Sequence, residues 1–306
     1  MAQYGLQNEN IEILVDSHGA ELKSLKNRIT GREHMWKGDP AFWGRTSPVL
    51  FPFVGGVNNK EYRIGNKSFP MNQHGFARDM EFSLLSQSDK ELWFCLSSDQ
   101  ELWFCLSSDQ ETLGKYPYEF VLKLGYRLLE DGVLVLWQVE NPGKEEMPFA
   151  IGGHPAFNCP IEEGKSQTDY LLYIDAKDQV VSTRLGSSGL ATEEKDVYAL
   201  SEDGFLPITK ELFDKDALVI EHDQAKKVAL CGQNKKPYLT VTMEAPLFGI
   251  WSPPGKNAPF ICIEPWYGRC DREGYKGELR DREWENVIAP GEVFRAEYQI
   301  QIAIGQ

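Results

Sequence analysis

Apolar and polar residues alternate with a period of two along three stretches, as expected of strands with one buried and one exposed face. In residues 118–128 the apolar positions are Phe120, Leu122, Leu124, Tyr126 and Leu128. Residues 132–141 alternate at Val133, Val135, Trp137 and Val139. Residues 293–304 alternate at Phe294, Ala296, Tyr298, Ile300, Ile302 and Ile304. The pattern predicts half-buried antiparallel strands.

Short turn-forming sequences such as NPG, SPPG and APG separate these stretches. Only residues 208–213 and 275–283 have a short helical pattern. The sequence therefore predicts an all-β fold with few short helices, either a large sandwich or a barrel. No linker, charge block or change of composition divides the chain. We expect one domain over residues 1–306.

The decapeptide ELWFCLSSDQ occurs at 91–100 and again, unchanged, at 101–110. Ten is an even number, so the insertion keeps the inward face of a following strand. We expect it to lengthen a β-hairpin harmlessly at a sheet edge, with SSDQ as the turn. A disturbance near the HGFAR motif would instead impair activity.

A net charge of −14 argues against a nucleic-acid partner and an anionic membrane. No apolar run is long enough to span a bilayer, and the first residues do not resemble a secretion signal, so we expect a cytoplasmic protein. The six cysteines form no CxxC pair and have no metal-ligand spacing. We expect them to be buried thiols.

Four polar residues lie in rigid turn contexts. His74 stands in QHGFAR, His154 in GGHPAFNCP and Glu264 in IEPWYG, and Arg45 precedes a segment rich in Pro and Phe. A residue before proline is restricted to extended geometry, so His154 and Glu264 are expected at stiff strand ends. The other histidines, His18, His34 and His222, are interpreted as structural or exposed.

These motifs, in this order, resemble the aldose 1-epimerase (galactose mutarotase-like) family, most closely its LacX-like bacterial branch. The resemblance runs from ILVDSHGAEL near the start to VFRAEYQIQI near the end. It implies a β-supersandwich and a sugar epimerase that needs no cofactor and no metal.

The resemblance also implies roles for individual residues. Glu264 corresponds to the catalytic base and His154 to the catalytic acid, while His74 corresponds to a histidine that polarises the sugar near C1. Arg45 and, through a looser motif, Asp216 correspond to substrate-binding residues. Trp251 and Trp266 could stack on the apolar face of a sugar or simply pack in the core.

The residue types suit anomer exchange on chemical grounds as well. A base removes the proton of the C1 hydroxyl while an acid protonates the ring oxygen, and the opened chain closes again on its other face. A carboxylate and an imidazole suffice, each contributing roughly 10²–10⁴-fold.

Other interpretations stay open from the sequence. His74, His154 and Glu264 could form a two-histidine, one-carboxylate metal site, and Glu264 with Asp216 could be the carboxylate pair of a glycosidase. A non-catalytic sugar binder or sensor is a third possibility. Arg45, Arg78 and Arg269 could hold a phosphate, so the substrate is a hexose or a hexose phosphate. The sequence does not predict the oligomeric state.

Overall fold

Strands dominate the structure, a computed structural model that describes residues 2–91 and 98–305. The first twelve in chain order are β1 (Gln3–Gln7), β2 (Ile11–Asp16), β3 (Glu21–Asn27), β4 (Val49–Leu50), β5 (Glu61–Ile64), β6 (Lys67–Pro70), β7 (Ser83–Glu91), β8 (Ser98–Ser107), β9 (Val121–Leu128), β10 (Gly132–Glu140), β11 (Met147–Phe149) and β12 (Ile151–Gly153). The others are β13 (Ala156–Asn158), β14 (Tyr170–Ile174), β15 (Gln179–Leu185), β16 (Ala191–Ala199), β17 (Phe205–Pro207), β18 (Leu218–Ile220), β19 (Lys227–Gly232), β20 (Pro237–Met243), β21 (Leu247–Trp251), β22 (Phe260–Tyr267), β23 (Asn286–Ile288) and β24 (Val293–Ile302).

Helical structure is short throughout the described residues. The α-helix α1 (Gln110–Lys115) begins after Asp109, whose carboxylate accepts a hydrogen bond from the Thr112 N–H while the Thr112 hydroxyl accepts one from the Asp109 N–H. Single turns of 3₁₀-helix lie at Asn58–Lys60, Ala77–Asp79, Gln167–Asp169 and Leu279–Asp281.

The helical pattern of residues 208–213 was a wrong prediction. This segment forms turns, in which the Leu212 N–H donates to the Thr209 carbonyl and the Asp214 N–H to the Glu211 carbonyl. In residues 275–283 only Leu279–Asp281 is helical. Both segments are too short to offset the cost of helix initiation without a cap such as the one at Asp109.

Two large antiparallel sheets form the body of the fold. One has nine strands in the order β17-β14-β19-β20-β24-β10-β9-β8-β7, and the other has eight, in the order β16-β15-β18-β21-β22-β12-β4 with β13 also paired to β22. A three-stranded sheet, β1-β2-β3, and the pairs β11-β23 and β5-β6 complete the described strands.

The predicted alternation is confirmed in the nine-stranded sheet. Strand β9 buries Leu122, Leu124, Tyr126 and Leu128, and its neighbour β10 buries Val133, Val135, Trp137 and Val139. In β24, Tyr298, Ile300 and Ile302 are buried, whereas Ile304 lies beyond the end of the strand. These residues belong to the large core that also contains side chains of the eight-stranded sheet.

Strand β22 determines where polar chemistry can be placed. Ile261 and Ile263 point into the large core between the sheets, so Cys262 and Glu264 point to the opposite face. Glu264 was expected at a strand end, but β22 continues through Pro265 to Tyr267. The fixed φ of proline is compatible with extended backbone, so Pro265 does not end the strand.

The repeated decapeptide lies in the hairpin of β7 and β8, as expected, at one edge of the nine-stranded sheet. The ladder runs from Ser83 opposite Cys105 to Glu91 opposite Ser98. The SSDQ turn was a wrong prediction in both copies. Ser98 to Gln100 belong to β8, and the second copy leads into α1. The residues that join the two strands lie outside the described ranges.

Five cysteines are described, and each has a free thiol. Cys159, Cys231, Cys262 and Cys270 are buried, as expected, and Cys105 is half-buried. The sixth, Cys95, lies outside the described residues. No helix in the described ranges is long and apolar enough to cross a membrane.

Candidate active site

A cavity of about 440 Å³ opens on the face of the eight-stranded sheet that points away from the large core. All seven residues proposed from the sequence line it, namely Arg45, His74, His154, Asp216, Trp251, Glu264 and Trp266. They come from loops and strands spread over more than two hundred positions, so the fold brings them together. His18, His34 and His222 do not line it, which agrees with their structural interpretation.

His154 and Glu264 are in direct contact at this cavity. The Nε2 atom of His154 lies 3.3 Å from the Oε2 atom of Glu264, and both side chains are almost completely buried. Glu264 is held inside β22, and His154 follows directly after β12, which pairs with β22. Neighbouring strands of one sheet therefore fix the spacing of the imidazole and the carboxyl.

Burial changes the proton affinities of this pair in opposite directions. It raises the pKa of the Glu264 carboxyl well above its usual value, and the nearby charge of Asp216 raises that pKa further. Burial lowers the pKa of His154 to about 3, and the positive charge of Arg78 lowers it as well. Between these two pKa values the pair holds a single proton and has no net charge.

His74 is held as a neutral hydrogen-bond donor. Its backbone N–H donates to the Gly55 carbonyl, and its ring Nδ1 accepts a hydrogen bond of 3.0 Å from the Gly55 N–H. Burial lowers the pKa of His74 well below its usual value, so the proton of the neutral ring is on Nε2. Its φ of 69° is in the left-handed region, as is the 73° of Asp216. Such backbone strain is often found at functional sites.

Two of the three arginines considered for phosphate binding line the cavity. Arg45 forms an ion pair of 2.6 Å with Asp79, and Arg78 donates a hydrogen bond from Nη2 to the Gln73 carbonyl. Asp79 lies 3.9 Å from Arg78 Nε, so it is primarily the partner of Arg45.

Arg269 was wrongly grouped with Arg45 and Arg78 as a possible phosphate-binding residue. It is 1% exposed, and it forms ion pairs with Glu221 and Glu283 away from the cavity wall. Asp271, two residues further along the chain, pairs with Arg282 at 2.6 Å. Buried charges of this kind need partners on several sides, which the local sequence does not reveal.

The aromatic wall includes a residue that the sequence did not single out, Trp43. Its indole stacks on the ring of His154, with centroids 4.6 Å apart and planes inclined by 27°. Trp251 meets both rings edge-on, at 5.6 Å from His154 and 5.8 Å from Trp43. Trp43 lies in the loop before β4, where no strand periodicity marks its direction, although it stands two residues from Arg45.

Trp266 is more deeply buried than Trp43 and Trp251. A side chain at Gly249 would place its Cβ 2.5 Å from the Trp266 ring, and one at Gly152 would place it 2.7 Å away. The two glycines therefore form the slot that accommodates this indole. The geometry leaves Trp251 and Trp43 as the half-buried rings of the cavity.

Several buried polar atoms of the cavity have no hydrogen-bond partner within the described residues. They are Arg78 Nε, His154 Nδ1, Glu264 Oε2 and Trp266 Nε1. The 3.3 Å contact between His154 and Glu264 is not aligned as a hydrogen bond. Unpartnered buried polar groups are costly, and a bound ligand with hydroxyl groups could satisfy them.

The set of possible metal ligands differs from the one suggested by the sequence. Within residues 2–91 and 98–305, one set of three His, Cys, Asp or Glu side chains has its ligating atoms within 4.8 Å of one another, and it consists of His154, Cys262 and Glu264. Cys262 takes the place expected for His74, whose Nδ1 is occupied by the Gly55 N–H.

The chain is similar to known proteins over nearly its whole length. The sequence profile of a family described as aldose 1-epimerase matches residues 2–300. The chain is 28% identical over 305 residues to the chromosomal protein LacX of Lactococcus lactis subsp. lactis, covering 97% of this chain and 98% of LacX.

Two solved structures are similar over nearly their whole length. A galactose mutarotase related enzyme from Lactobacillus acidophilus is 31% identical with a TM-score of 0.89, covering 99% of this chain and 97% of that one. A galactose mutarotase-like protein from Lactobacillus casei is 31% identical with a TM-score of 0.86, covering 99% and 100%. These similarities confirm the predicted all-β supersandwich of mostly antiparallel strands.

Proposed function

Because the chain belongs to the aldose 1-epimerase family, we propose that it is a mutarotase, which interconverts the α and β anomers of a hexose or a hexose phosphate. The observation that carries this proposal is the 3.3 Å contact between His154 Nε2 and Glu264 Oε2 in the cavity wall. Anomer exchange moves protons at two oxygens bonded to the same carbon, so its acid and base must be neighbours.

The single proton of the pair matches the proton count of the reaction. With a cyclic sugar bound, Glu264 acts as a carboxylate that takes the proton of the C1 hydroxyl, and His154 acts as an imidazolium that protonates the ring oxygen as the bond from C1 to that oxygen breaks. The products are an open-chain aldehyde, a carboxylic acid and a neutral imidazole. After rotation about C1–C2, the reverse transfers close the ring and restore the starting state.

Burial favours the carboxylic acid with the neutral imidazole, which is the form paired with the open-chain aldehyde. The form with a carboxylate and an imidazolium differs from it only by the transfer of one proton between Glu264 and His154, which are in contact. The Nε2–H of His74 can donate to the ring oxygen or the C1 oxygen, which polarises the reacting carbon. Asp216 and Arg45 are proposed to bind hydroxyl groups, and Trp251 and Trp266 to contact the sugar.

The nature of the substrate depends on the cationic part of the cavity. Arg45 and Arg78 lie close enough to His74 for their positive charges to contribute to its low pKa. The buried Nε of Arg78 also has no hydrogen-bond partner among the described residues. Two guanidinium groups could bind the phosphate of a hexose phosphate, whereas Arg45 alone, already paired with Asp79, suits a neutral hexose.

The test is NMR exchange spectroscopy of anomers across free and phosphorylated aldoses, with the buffer-catalysed rate subtracted. We expect Glu264→Gln to lower the catalysed rate roughly 10²–10⁴-fold, because the base is lost. His18→Gln, which changes a histidine outside the cavity, is the control and should leave the rate unchanged.

Other outcomes would contradict the proposal. Sugar binding without any acceleration by the wild-type chain would favour the non-catalytic sugar binder. Full activity in Glu264→Gln would exclude Glu264 as the base. Within an active enzyme, Arg78→Met should lower kcat/KM more for a phosphorylated aldose than for the free sugar if that arginine binds the phosphate.

A further inference from the structure

Cys262 has no part in the proposed epimerase chemistry, although it lies beside both groups that do. It is two residues before Glu264 on β22, so the two side chains share the face that points away from the large core. Its partners in the neighbouring strands are Ala156 and Trp251. The thiol is fully buried and forms no disulfide.

The ligating atoms of His154, Cys262 and Glu264 all lie within 4.8 Å of one another. In a tetrahedral zinc site, with Zn–S of about 2.3 Å and Zn–N or Zn–O of about 2.0 Å, neighbouring ligand atoms are roughly 3.3–3.5 Å apart. The 3.3 Å between His154 and Glu264 already meets this spacing. The Cys262 sulfur, which lies within 4.8 Å of the other two ligating atoms, needs to approach by at most about 1.3 Å.

Two further observations indicate a ligand at this position. Glu264 Oε2 is buried without a hydrogen-bond partner among the described residues, so it has a free acceptor. His154 and Glu264 line the cavity, whereas Cys262 lies deeper, so an ion can enter from the cavity and reach the sulfur last. A thiolate, an imidazole and a carboxylate form a donor set suited to Zn²⁺ and similar borderline-soft ions.

We propose that His154, Cys262 and Glu264 form a binding site for Zn²⁺ or a similar thiophilic divalent ion, and that this ion and the sugar exclude each other. The three side chains supply three ligands, and the fourth position faces the cavity, where water completes the coordination. Binding releases two protons to the solvent, one from the Cys262 thiol and one from the His154–Glu264 pair. The ion thus occupies the acid and the base that epimerisation would use.

The experiment measures metal binding directly, so its outcome does not depend on whether the protein is an epimerase. Zn²⁺ is titrated into the reduced full-length chain by calorimetry, and Co²⁺ is used as a spectroscopic probe. We expect one ion per chain and a thiolate-to-cobalt charge-transfer band. Cys262→Ala should lose this band and weaken Zn²⁺ binding at least tenfold, because one of three protein ligands is removed.

Cys270→Ala is the matched control. Cys270 is also a buried free thiol, and it lines the same cavity, but it is not part of the three-ligand set. We expect this variant to keep the cobalt band and the wild-type Zn²⁺ affinity. Thermal unfolding of both variants verifies that they are folded, and Cys262→Ser replaces Cys262→Ala if the latter is not.

Three results would overturn the proposal. They are no Zn²⁺ binding by the wild-type chain, a Co²⁺ complex without a thiolate band, and equal Zn²⁺ affinity in Cys262→Ala and the wild type. If the chain proves to be an epimerase, Zn²⁺ should also inhibit it competitively with the sugar, and this inhibition should weaken in Cys262→Ala relative to the metal-free rate of that variant. Inhibition that is equally strong in both proteins would contradict the site.

Discussion

At the scale of single residues, the site depends on one proton shared by two buried groups. An isolated histidine near its usual pKa of about 6.5 would lose its proton around neutrality. Burial changes this, because it lowers the pKa of His154 and raises the pKa of Glu264, which leaves the pair with one proton over a wide range. The two side chains therefore titrate as a unit.

This coupling predicts the pH dependence of the proposed activity. Below a pH of about 3 a second proton binds to the pair, and the base is lost. As the pH rises through the raised pKa of Glu264, the shared proton leaves, and the acid is lost. We expect a plateau of kcat/KM between these limits, measured by NMR exchange in buffers of constant ionic strength.

The low-pH side of this profile is the informative one. A fall in kcat/KM centred near pH 6.5 would show that His154 titrates like an exposed histidine, which contradicts a shared proton. Any residual activity of Glu264→Gln should lack the alkaline limb that Glu264 sets, because the amide cannot ionise.

Trp43 controls the surroundings of His154 in this interpretation. Its stacked indole keeps water from the imidazole, and burial is the main cause of the low His154 pKa. We expect Trp43→Ala to move the acid limb of kcat/KM to higher pH and to lower kcat about tenfold, since desolvation and a cation–π contact are lost. Trp43→Phe, which keeps an aromatic ring, is the control. Its acid limb and its kcat should lie between those of the wild type and Trp43→Ala. A rise in KM with an unmoved acid limb would mean that Trp43 only contacts the sugar.

At the scale of elements, β22 shows how much the sequence could predict. Period-two alternation places Ile261 and Ile263 on one face and Glu264 on the other. Glu264 was proposed from the sequence through its position before Pro265 and through the IEPWYG motif. The stiff backbone before Pro155 likewise pointed to His154. Cys262 was not proposed, because its meaning depends on the pairing of β22 with β13 and β21, and register is a long-range property.

Loops and ion-pair networks were predicted less well than strands. Trp43 lies in an irregular segment, and the partners of Arg269 are 48 and 14 positions away in the chain. Helix α1 depends on the Asp109 cap, a local signal that the repeated decapeptide obscured. Alternation predicts which way a strand residue points, but it does not predict which loop closes over it.

The close packing of Gly249 against Trp266 predicts how a substitution in strand β21 changes stability. Gly249 is opposite Glu264 in the ladder of β21 and β22, and an added Cβ would be 2.5 Å from the Trp266 ring. Gly249→Ala should therefore displace the indole and destabilise the fold by about 1–3 kcal/mol. Epimerase activity should fall as well. Thermal and denaturant unfolding measure the change in stability.

Gly114→Ala is the matched control, because a Cβ at Gly114 of α1 meets nothing within 4 Å. It should leave activity unchanged and stabilise the protein by roughly 0.5–1 kcal/mol through helix propensity. Equal stability of Gly249→Ala and the wild type would show that the slot around Trp266 can widen without cost.

At the scale of the whole molecule, the cavity and the β7–β8 hairpin belong to different sheets. The cavity lies on the eight-stranded sheet, whereas the β7–β8 hairpin is at the edge of the nine-stranded sheet. The ladder of this hairpin starts at Ser83, soon after the HGFAR motif, and Ser83 is paired with Cys105. The pairing near the motif is therefore intact with both copies present.

This arrangement predicts the effect of deleting one copy, residues 91–100. Ser88 is already paired with Glu101, so the deletion leaves Asp89 and Lys90 as a two-residue loop between paired positions. Leu102, Phe104 and Leu106, the buried residues of β8, come from the second copy and keep their register. We expect unchanged activity and a melting temperature within a few degrees of the wild type. This corresponds to a change of about 1 kcal/mol or less in the free energy of unfolding.

Calorimetry and the anomer-exchange assay on the shortened chain provide the test. A loss of folding would show that the additional pairing contributes to the core. A loss of activity with normal folding would show that the hairpin communicates with the cavity.

The same ladder has a practical consequence. A hairpin whose strands are paired on both sides of an added stretch is a natural place to graft foreign sequence, because the core residues of β8 come after it. A short affinity tag or a dye-binding peptide placed between positions 90 and 101 would be attached to the nine-stranded sheet. The cavity, on the eight-stranded sheet, would not carry it.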